Sequence, residues 1–169
     1  MKKVLSIVLM GLMLFVVVGC GGSKTDGNAS KNEKPAEVTG TLFEADFISF
    51  RHSDDWRVTQ NAELKTINCE KGSALSPTHY VMIKAATDSF RTAEESVTEF
   101  AQKYNGSPAE KVSYNNIEYF QTSFEYGGLP QTMLVTMVGE EKLTITLQGA
   151  GHQDDQSIKD ILNSIELKF

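Results

Sequence analysis

The chain has 169 residues with 16 Lys and Arg against 22 Asp and Glu, a net charge of −6, and two cysteines. An acidic chain of this length has no electrostatic reason to bind nucleic acid or anionic lipid. Two cysteines at positions 20 and 69 supply no disulfide framework.

The N-terminus opens with Met1-Lys2-Lys3, and Val4 to Val18 is apolar but for Ser6 and Gly11. As a helix these 15 residues extend about 22 Å, short of the roughly 30 Å hydrocarbon core of a bilayer. Two lysines ahead of a short apolar core fit a signal peptide. The run ends Val17-Val18-Gly19-Cys20, which resembles the lipobox of bacterial lipoproteins. The resemblance implies cleavage between Gly19 and Cys20, acylation of the Cys20 thiol, and a lipid anchor in the membrane on its extracytoplasmic side. More than one acyl chain makes such an anchor stable. An ordinary secretory signal is the alternative, and Val17-Val18-Gly19 suits its small-residue rule poorly. Gly21 after Cys20 and the polar segment that follows favour the outer leaflet of a monoderm. Without residues 1–19 the chain keeps 14 basic and 22 acidic residues, a net charge of −8.

Gly21 to Thr41 is almost free of large apolar side chains. Such a segment cannot bury enough surface to offset its ordering entropy and reads as a flexible tether, spanning about 25 Å. Residues 42–169 then form one globular domain, long enough for a core without metal or disulfide.

In that domain Phe47 to Arg51, Trp56 to Thr59, Leu64 to Glu70 and Tyr80 to Ala85 read as strands. Cys69 lies in phase with Ile67, which makes it a buried small apolar side chain; a reactive thiol or an intermolecular disulfide is the other reading. Ala93, Val97, Phe100, Ala101 and Tyr104 recur at helical spacing, with Thr92 and Glu95 as a capping box and Asn105-Gly106 as the stop. Val112 to Tyr114 and Ile117 to Tyr126 flank Asn115-Asn116, a pair suited to a tight hairpin. Gly127-Gly128-Leu129-Pro130 marks the next turn. Met133 to Val138 is apolar on both phases, as a central strand is, and Gly139-Glu140-Glu141-Lys142 turns it into Leu143 to Gln148, where Leu143, Ile145 and Leu147 oppose Thr144, Thr146 and Gln148. A second helix runs from Asp155 to Ser164 with Ile158, Ile161, Leu162 and Ile165 on one stripe, capped by Asp154 or Asp155. Glu166 to Phe169 supplies a last short strand. Strands joined by short turns are antiparallel, and helices that interrupt the strand series point to an α+β class.

Phe47-Ile48-Ser49-Phe50, Asp55-Trp56-Arg57-Val58, the helix Ala93 to Tyr104, the hairpin Tyr114 to Tyr119 and the closing Ile158 to Phe169 together resemble a PsbP-like domain. Ser53 stands where that family has a proline and Asn116 where it has a glycine. The resemblance implies an α/β/α sandwich with a central antiparallel sheet and two flanking helices. It also implies a role as an extrinsic partner or assembly factor, with catalysis not a shared trait.

No catalytic set emerges from the residues. His52, His79 and His152 share no ligand spacing with one another or with Cys69, so no metal or other cofactor is expected. Asp54-Asp55 beside His52 and Asp154-Asp155 could each hold a cation, but turn formation is the favoured account of the first pair and helix capping explains the second without an ion. No Gly-x-Ser-x-Gly elbow or phosphate loop occurs. Trp56 reads as core or as a ligand platform, and Tyr114, Tyr119 and Tyr126 as rings near turns that could line a contact surface. The resulting expectation is a tethered, non-catalytic module that docks on an envelope protein. The alternative is a carrier or sensor of a small apolar or glycan ligand held between helix and sheet.

Overall fold

A computed structural model describes residues 38–169. The signal, the Gly19-Cys20 cleavage and lipidation site, and the tether up to residue 37 lie outside the described residues.

The described chain runs β1 (Thr41–Glu44), β2 (Ile48–His52), β3 (Trp56–Asn61), β4 (Thr66–Ser73), β5 (Ser76–Thr87), α1 (Ala93–Tyr104), β6 (Glu110–Tyr114), β7 (Ile117–Tyr126), β8 (Leu129–Val138), β9 (Glu141–Gln148), α2 (Gln156–Asn163) and β10 (Glu166–Leu167). Seven strands form a main sheet in the order β3-β4-β5-β9-β8-β7-β6, and β1-β2-β10 form a second, smaller sheet. The recorded pairings are antiparallel. The fold is therefore a sheet-dominated α+β arrangement with two helices.

Local chemistry sets most of the boundaries. Thr92 caps α1 by accepting from the Glu95 N–H, while the Thr92 N–H donates to the Glu95 carboxylate at 2.8 Å. The Thr92 N–H, and then its hydroxyl, which donates to the same carboxylate oxygen at 3.0 Å, hold the Glu95 carboxyl below its usual range. Asn105 ends the helix at φ 52°. Asn115 and Asn116 have φ of 47° and 61°, the two positive angles that a two-residue hairpin of matching twist requires. Asp155, and not Asp154, caps α2: its Oδ1 accepts from the N–H groups of Ser157 and Ile158 at 2.9 and 3.2 Å.

Strand alternation distributes the side chains over two cores. On β8, Leu134 enters the larger cluster, while Met133 and Val135 enter the smaller one. Successive strand residues point to opposite faces, so the two clusters lie on opposite sides of the main sheet. The larger, inner cluster joins Ile67, Cys69, Val81, Ile83, Leu143, Ile145 and Leu147 to Ile158, Ile161 and Leu162 of α2 and to Ile48 and Phe50 of β2. On the outer side, Val97, Phe100 and Tyr104 of α1 pack on Phe120, Phe124, Met133 and Val135. Each such side chain, fully buried, contributes about 1.5–3 kcal/mol.

Two expectations change. The stretch at Phe47 does not join the main sheet: β2 sits between β1 and β10 in the second sheet, which shares the inner layer with α2. That layer is thus part strand and part helix, not a single flanking helix. The third strand of that sheet, β1, has no apolar alternation and is set by its pairing with β2 eleven residues on, Thr41 opposite His52. The expected strand at Leu64 begins instead at Thr66, because Lys65 takes φ 47° and the Asn61 side chain caps Leu64 N–H in the preceding turn.

Candidate functional site

The outer face of the main sheet is only partly covered. A helix with side chains is about 10 Å across and strands lie about 4.8 Å apart, so one helix spans about two strands. Helix α1 packs on β7 and β8. The same face of β9, β5, β4 and β3 continues beyond it as an open strip. Its rows follow from the register. Thr146, Met82, Asn68 and Thr59 form the middle row; Thr144, Lys84, Thr66 and Asn61 form one flank; Gln148, Tyr80, Glu70 and Arg57 form the other. The middle row carries no charge. On the third row Arg57 and Glu70 pair with each other.

Tyr80, Met82, Asn68, Thr144 and Thr146 are all half-buried. Between α1 and β9 the strip deepens into a trough of about 270 Å3, lined among others by Phe100, Met133, Val135 and Thr144. At the opposite end, by the tips of the β4-β5 and β7-β8 hairpins, lies a hollow of about 610 Å3 that includes Tyr80, Gln148 and Leu129.

A buried carboxylate fixes α1 relative to the strip. Asp88, at the end of β5, accepts from Lys142 Nζ on β9, from Arg91 Nε at 3.2 Å and from the Phe90 N–H at 3.2 Å. Its own N–H donates to Glu140 O at 2.8 Å. The Lys142 hydrogen bond, above all, lowers the Asp88 carboxyl to a pKa of about 2.

A second polar cluster lies at the rim of the inner face, where the register aligns Trp56, Lys71 and His79 across β3, β4 and β5. Lys71 Nζ donates to Asp155 Oδ2 and Ser157 Oγ, both at 2.9 Å, and Trp56 Nε1 donates to Ser157 Oγ at 3.1 Å. Ser157 Oγ in turn donates to Asp155 Oδ1 at 2.6 Å. Burial works against ionised Asp155, but the bonds from Ser157, Lys71 and the Ile158 N–H outweigh it and hold the carboxyl well below the usual range. The Ser157 hydroxyl donates once and accepts twice, so the cluster serves to seat α2 on the sheet.

Of the four aromatic residues singled out by sequence, Tyr114 and Tyr119 meet in the inner core, and Tyr126 lies apart from them on the surface. Trp56 is 4% exposed and faces the inner core. Tyr119 is fully buried, with Tyr114 edge-on to it at 6.1 Å between ring centroids. Tyr126 is 60% exposed at the β7-β8 turn, its ring edge-on to Tyr104 at 5.8 Å. The histidines are equally dispersed. His52 Nδ1 is 2.9 Å from Ser53 O, His79 Nε2 is 3.1 Å from Ala150 O, and buried His152 bridges Gly149 O and Thr132 Oγ1, each at 2.8 Å. Asp54 accepts from Thr41 Oγ1, and Asp55 from Ser53 Oγ. Among the described residues no group of three or more His, Cys, Asp or Glu side chains is placed to hold a metal ion. Cys69 is buried and free, and burial pushes its thiol up to about 12. No described helix is long and apolar enough to cross a membrane.

Sequence reasoning passed over Tyr80, Met82 and Asn68. The polar phase of β9, Thr144-Thr146-Gln148, was the available signal that this face is not fully covered.

No family model matches the chain, and no curated protein sequence matches it. Among solved structures it is similar to a protein of Bacteroides thetaiotaomicron VPI-5482, with TM-score 0.53 and 15% identity over 77% of this chain and 49% of that one, so that it spans about half of that protein's length. It is also similar to LpqN, involved in cell envelope biogenesis of Mycobacterium tuberculosis, with TM-score 0.44 and 14% identity over 76% and 84% of the two chains. The cyanobacterial PsbP (CyanoP) of Synechocystis sp. PCC 6803 matches with TM-score 0.54 and 12% identity, over 83% of this chain and 99% of that one. Likeness at this level of identity is a likeness of fold, and the fold of the described domain is PsbP-like.

Proposed function

We propose that this chain is a non-catalytic binding module of the cell envelope, held on the extracytoplasmic face of the membrane by acylated Cys20, and that an envelope protein docks on the open strip beside α1. In this reading the layers are α1, the main sheet, and α2 with the small sheet, an α/β/α sandwich in outline. The observation that carries the docking reading is the uncovered half of the outer sheet face, where Met82 and Tyr80 stand among neutral polar side chains beside a trough with Phe100, Met133 and Val135 in its lining and the charged Arg91, Glu99, Lys103 and Lys142 around them. Interfaces that form and dissolve have this mixed character, with Tyr, Met and Arg enriched and charge depleted at their centre. The Lys2-Lys3 start, the short apolar core and the Val17-Val18-Gly19-Cys20 run support the anchor.

Photocrosslinking in the native host tests the docking face. A crosslinker at Met82 or Thr146 is expected to trap one envelope partner, whereas one at Gln102, on the exposed side of α1, is expected to trap none. Charge introduced by Thr146→Glu should abolish the Met82 adduct. Equal trapping from all three positions, or background alone, overturns the reading. For the anchor, Cys20→Ala is expected to leave the protein unprocessed or release it from membranes; normal processing with unchanged membrane retention overturns that part.

A further inference from the structure

The hollow at the hairpin end of the strip has a different chemistry from the trough. It lies where β5 begins and β9 ends beside the β7-β8 turn, with Pro77 and Leu129 as apolar walls and Tyr80, Glu70 and Gln148 on the sheet side. Tyr80 stands directly between Glu70 on β4 and Gln148 on β9, all three on the outer face.

The conformation of Tyr80 is constrained. Its Oη donates to Asn68 Oδ1 at 2.5 Å, yet Asn68 pairs with Met82 and is a diagonal neighbour of Tyr80. Diagonal neighbours lie about 7–8 Å apart. A phenol reaches that far across a sheet only by leaning along it, so the ring inclines over the strands toward Asn68. Around the ring are neutral or neutralised hydrogen-bonding groups. Asn68 accepts through Oδ1, which leaves the N–H groups of Nδ2 as donors. Gln148 Oε1 accepts from Gln131 Nε2 at 3.3 Å, which leaves Gln148 Nε2 as a donor. Glu70 meets Arg57 through Oε2, so its charge is balanced and Oε1 can still accept. The floor is close-packed backbone: Gly149 has φ 130°, and a Cβ there would lie 2.6 Å from Thr78 O.

We propose that this hollow is a subsite for an uncharged sugar ring, one unit of a neutral oligosaccharide. A pyranose offers an apolar C–H face edged by hydroxyls. The C–H face matches the outward side of Tyr80, and the hydroxyls match Asn68 Nδ2, Gln148 Nε2 and Glu70 Oε1. A purely apolar ligand would leave two amides and a carboxylate oxygen buried without partners, at a penalty that a sugar avoids. An anionic ligand would meet a balanced Arg57–Glu70 pair on a net-negative domain. The inference goes beyond the docking reading and does not rest on it: both involve Tyr80, but this one stands on the hollow and its hydrogen-bonding groups, and its test needs no partner protein.

The test uses the processed, full-length protein in a sugar-free detergent, with saturation-transfer NMR and calorimetry against chitotetraose, cellotetraose and maltotetraose at millimolar concentration. At least one of them is expected to receive saturation at its ring C–H protons. Tyr80→Ala should weaken that binding about tenfold or more, and Tyr80→Phe, which keeps the ring but frees it from Asn68, by roughly two- to fivefold. Both variants are checked by circular dichroism, and the phenylalanine variant guards against a folding defect in the alanine one. Binding by none of the three sugars, or binding that Tyr80→Ala leaves unchanged, overturns the proposal. So does Tyr80-dependent binding of tetragalacturonate or of a fatty acid in place of the neutral sugars.

Discussion

Strand β9 shows two environments on one backbone. Leu143, Ile145 and Leu147 are buried to within 3% exposure, while Thr144, Thr146 and Gln148, between and beside them, are only partly buried. The inner face is apolar along the middle of β4, β5 and β9 and at Leu134 of β8, because α2 and the small sheet lie over it. The outer face is most apolar under α1, at Phe120, Phe124, Met133 and Val135, and from β9 onward is mostly polar, with Met82 and Tyr80 among hydrogen-bonding side chains. The composition of a face thus records what covers it. The open strip has the chemistry of a surface that meets water or a polar partner, not that of an unfinished core.

The contrast predicts unequal costs for neighbouring residues. Ile145→Ala should lose about 2–5 kcal/mol in urea unfolding, the transfer and cavity cost of a core deletion. Thr146→Ala, one residue on, should change stability by no more than about 0.5 kcal/mol. A large loss at Thr146 would mean that the strip is covered in the folded protein.

Next in size are the carboxylates at the two rims. Asp155→Asn removes the charge that Lys71 meets and weakens the α2 cap, at an expected cost of about 1–2 kcal/mol near neutral pH. The folded-state pKa values of Asp155 and Asp88 both lie below the unfolded value near 4. Each group therefore stabilises fully above about pH 4 and loses that contribution as pH falls toward its folded value, about 2 for Asp88. The wild-type urea midpoint should drop between about pH 4 and pH 2, and Asp155→Asn should flatten that drop. An unchanged acid profile in the variant would remove Asp155 from the account.

What was legible in the sequence was local. Thr92 with Glu95, Asn105, and Asn115-Asn116 act on backbone within a few residues, so their chemistry reads directly as a cap, a stop and a hairpin. Strand β1 was not legible, because it exists through pairing with β2, and the sheet it belongs to is completed by β10 from the far end of the chain. The candidate site divides the same way. Alternation gave the polar phase of β9, but not which strands α1 covers, because that is set by contacts between segments distant in sequence, Phe100 and Tyr104 with Phe120, Phe124, Met133 and Val135. Trp56 and Tyr119 carried the right phase with no label for which face was inner. Tyr80, next to Val81 and Ile83, reads as one more strand aromatic until Asn68 on the neighbouring strand draws its ring down.

The smallest expected effect tests the inner face at its one fully buried tyrosine. Tyr119 has no exposed surface and its Oη has no hydrogen-bond partner. Burial, then the neighbouring Tyr114, raises its phenol pKa, so the group is a neutral hydroxyl in apolar surroundings. In the unfolded chain that hydroxyl is hydrated, and an unpaired buried polar atom costs about 1–3 kcal/mol. Tyr119→Phe keeps the ring and its edge-on contact with Tyr114 while removing only the oxygen. The variant should therefore equal the wild type or exceed it by up to about 1 kcal/mol in urea unfolding. A loss of stability would mean that Oη is bonded in the folded protein and that the inner face holds a polar node at its centre. A gain would make the inner face what its neighbours imply, an apolar layer in which only the ring of Tyr119 matters.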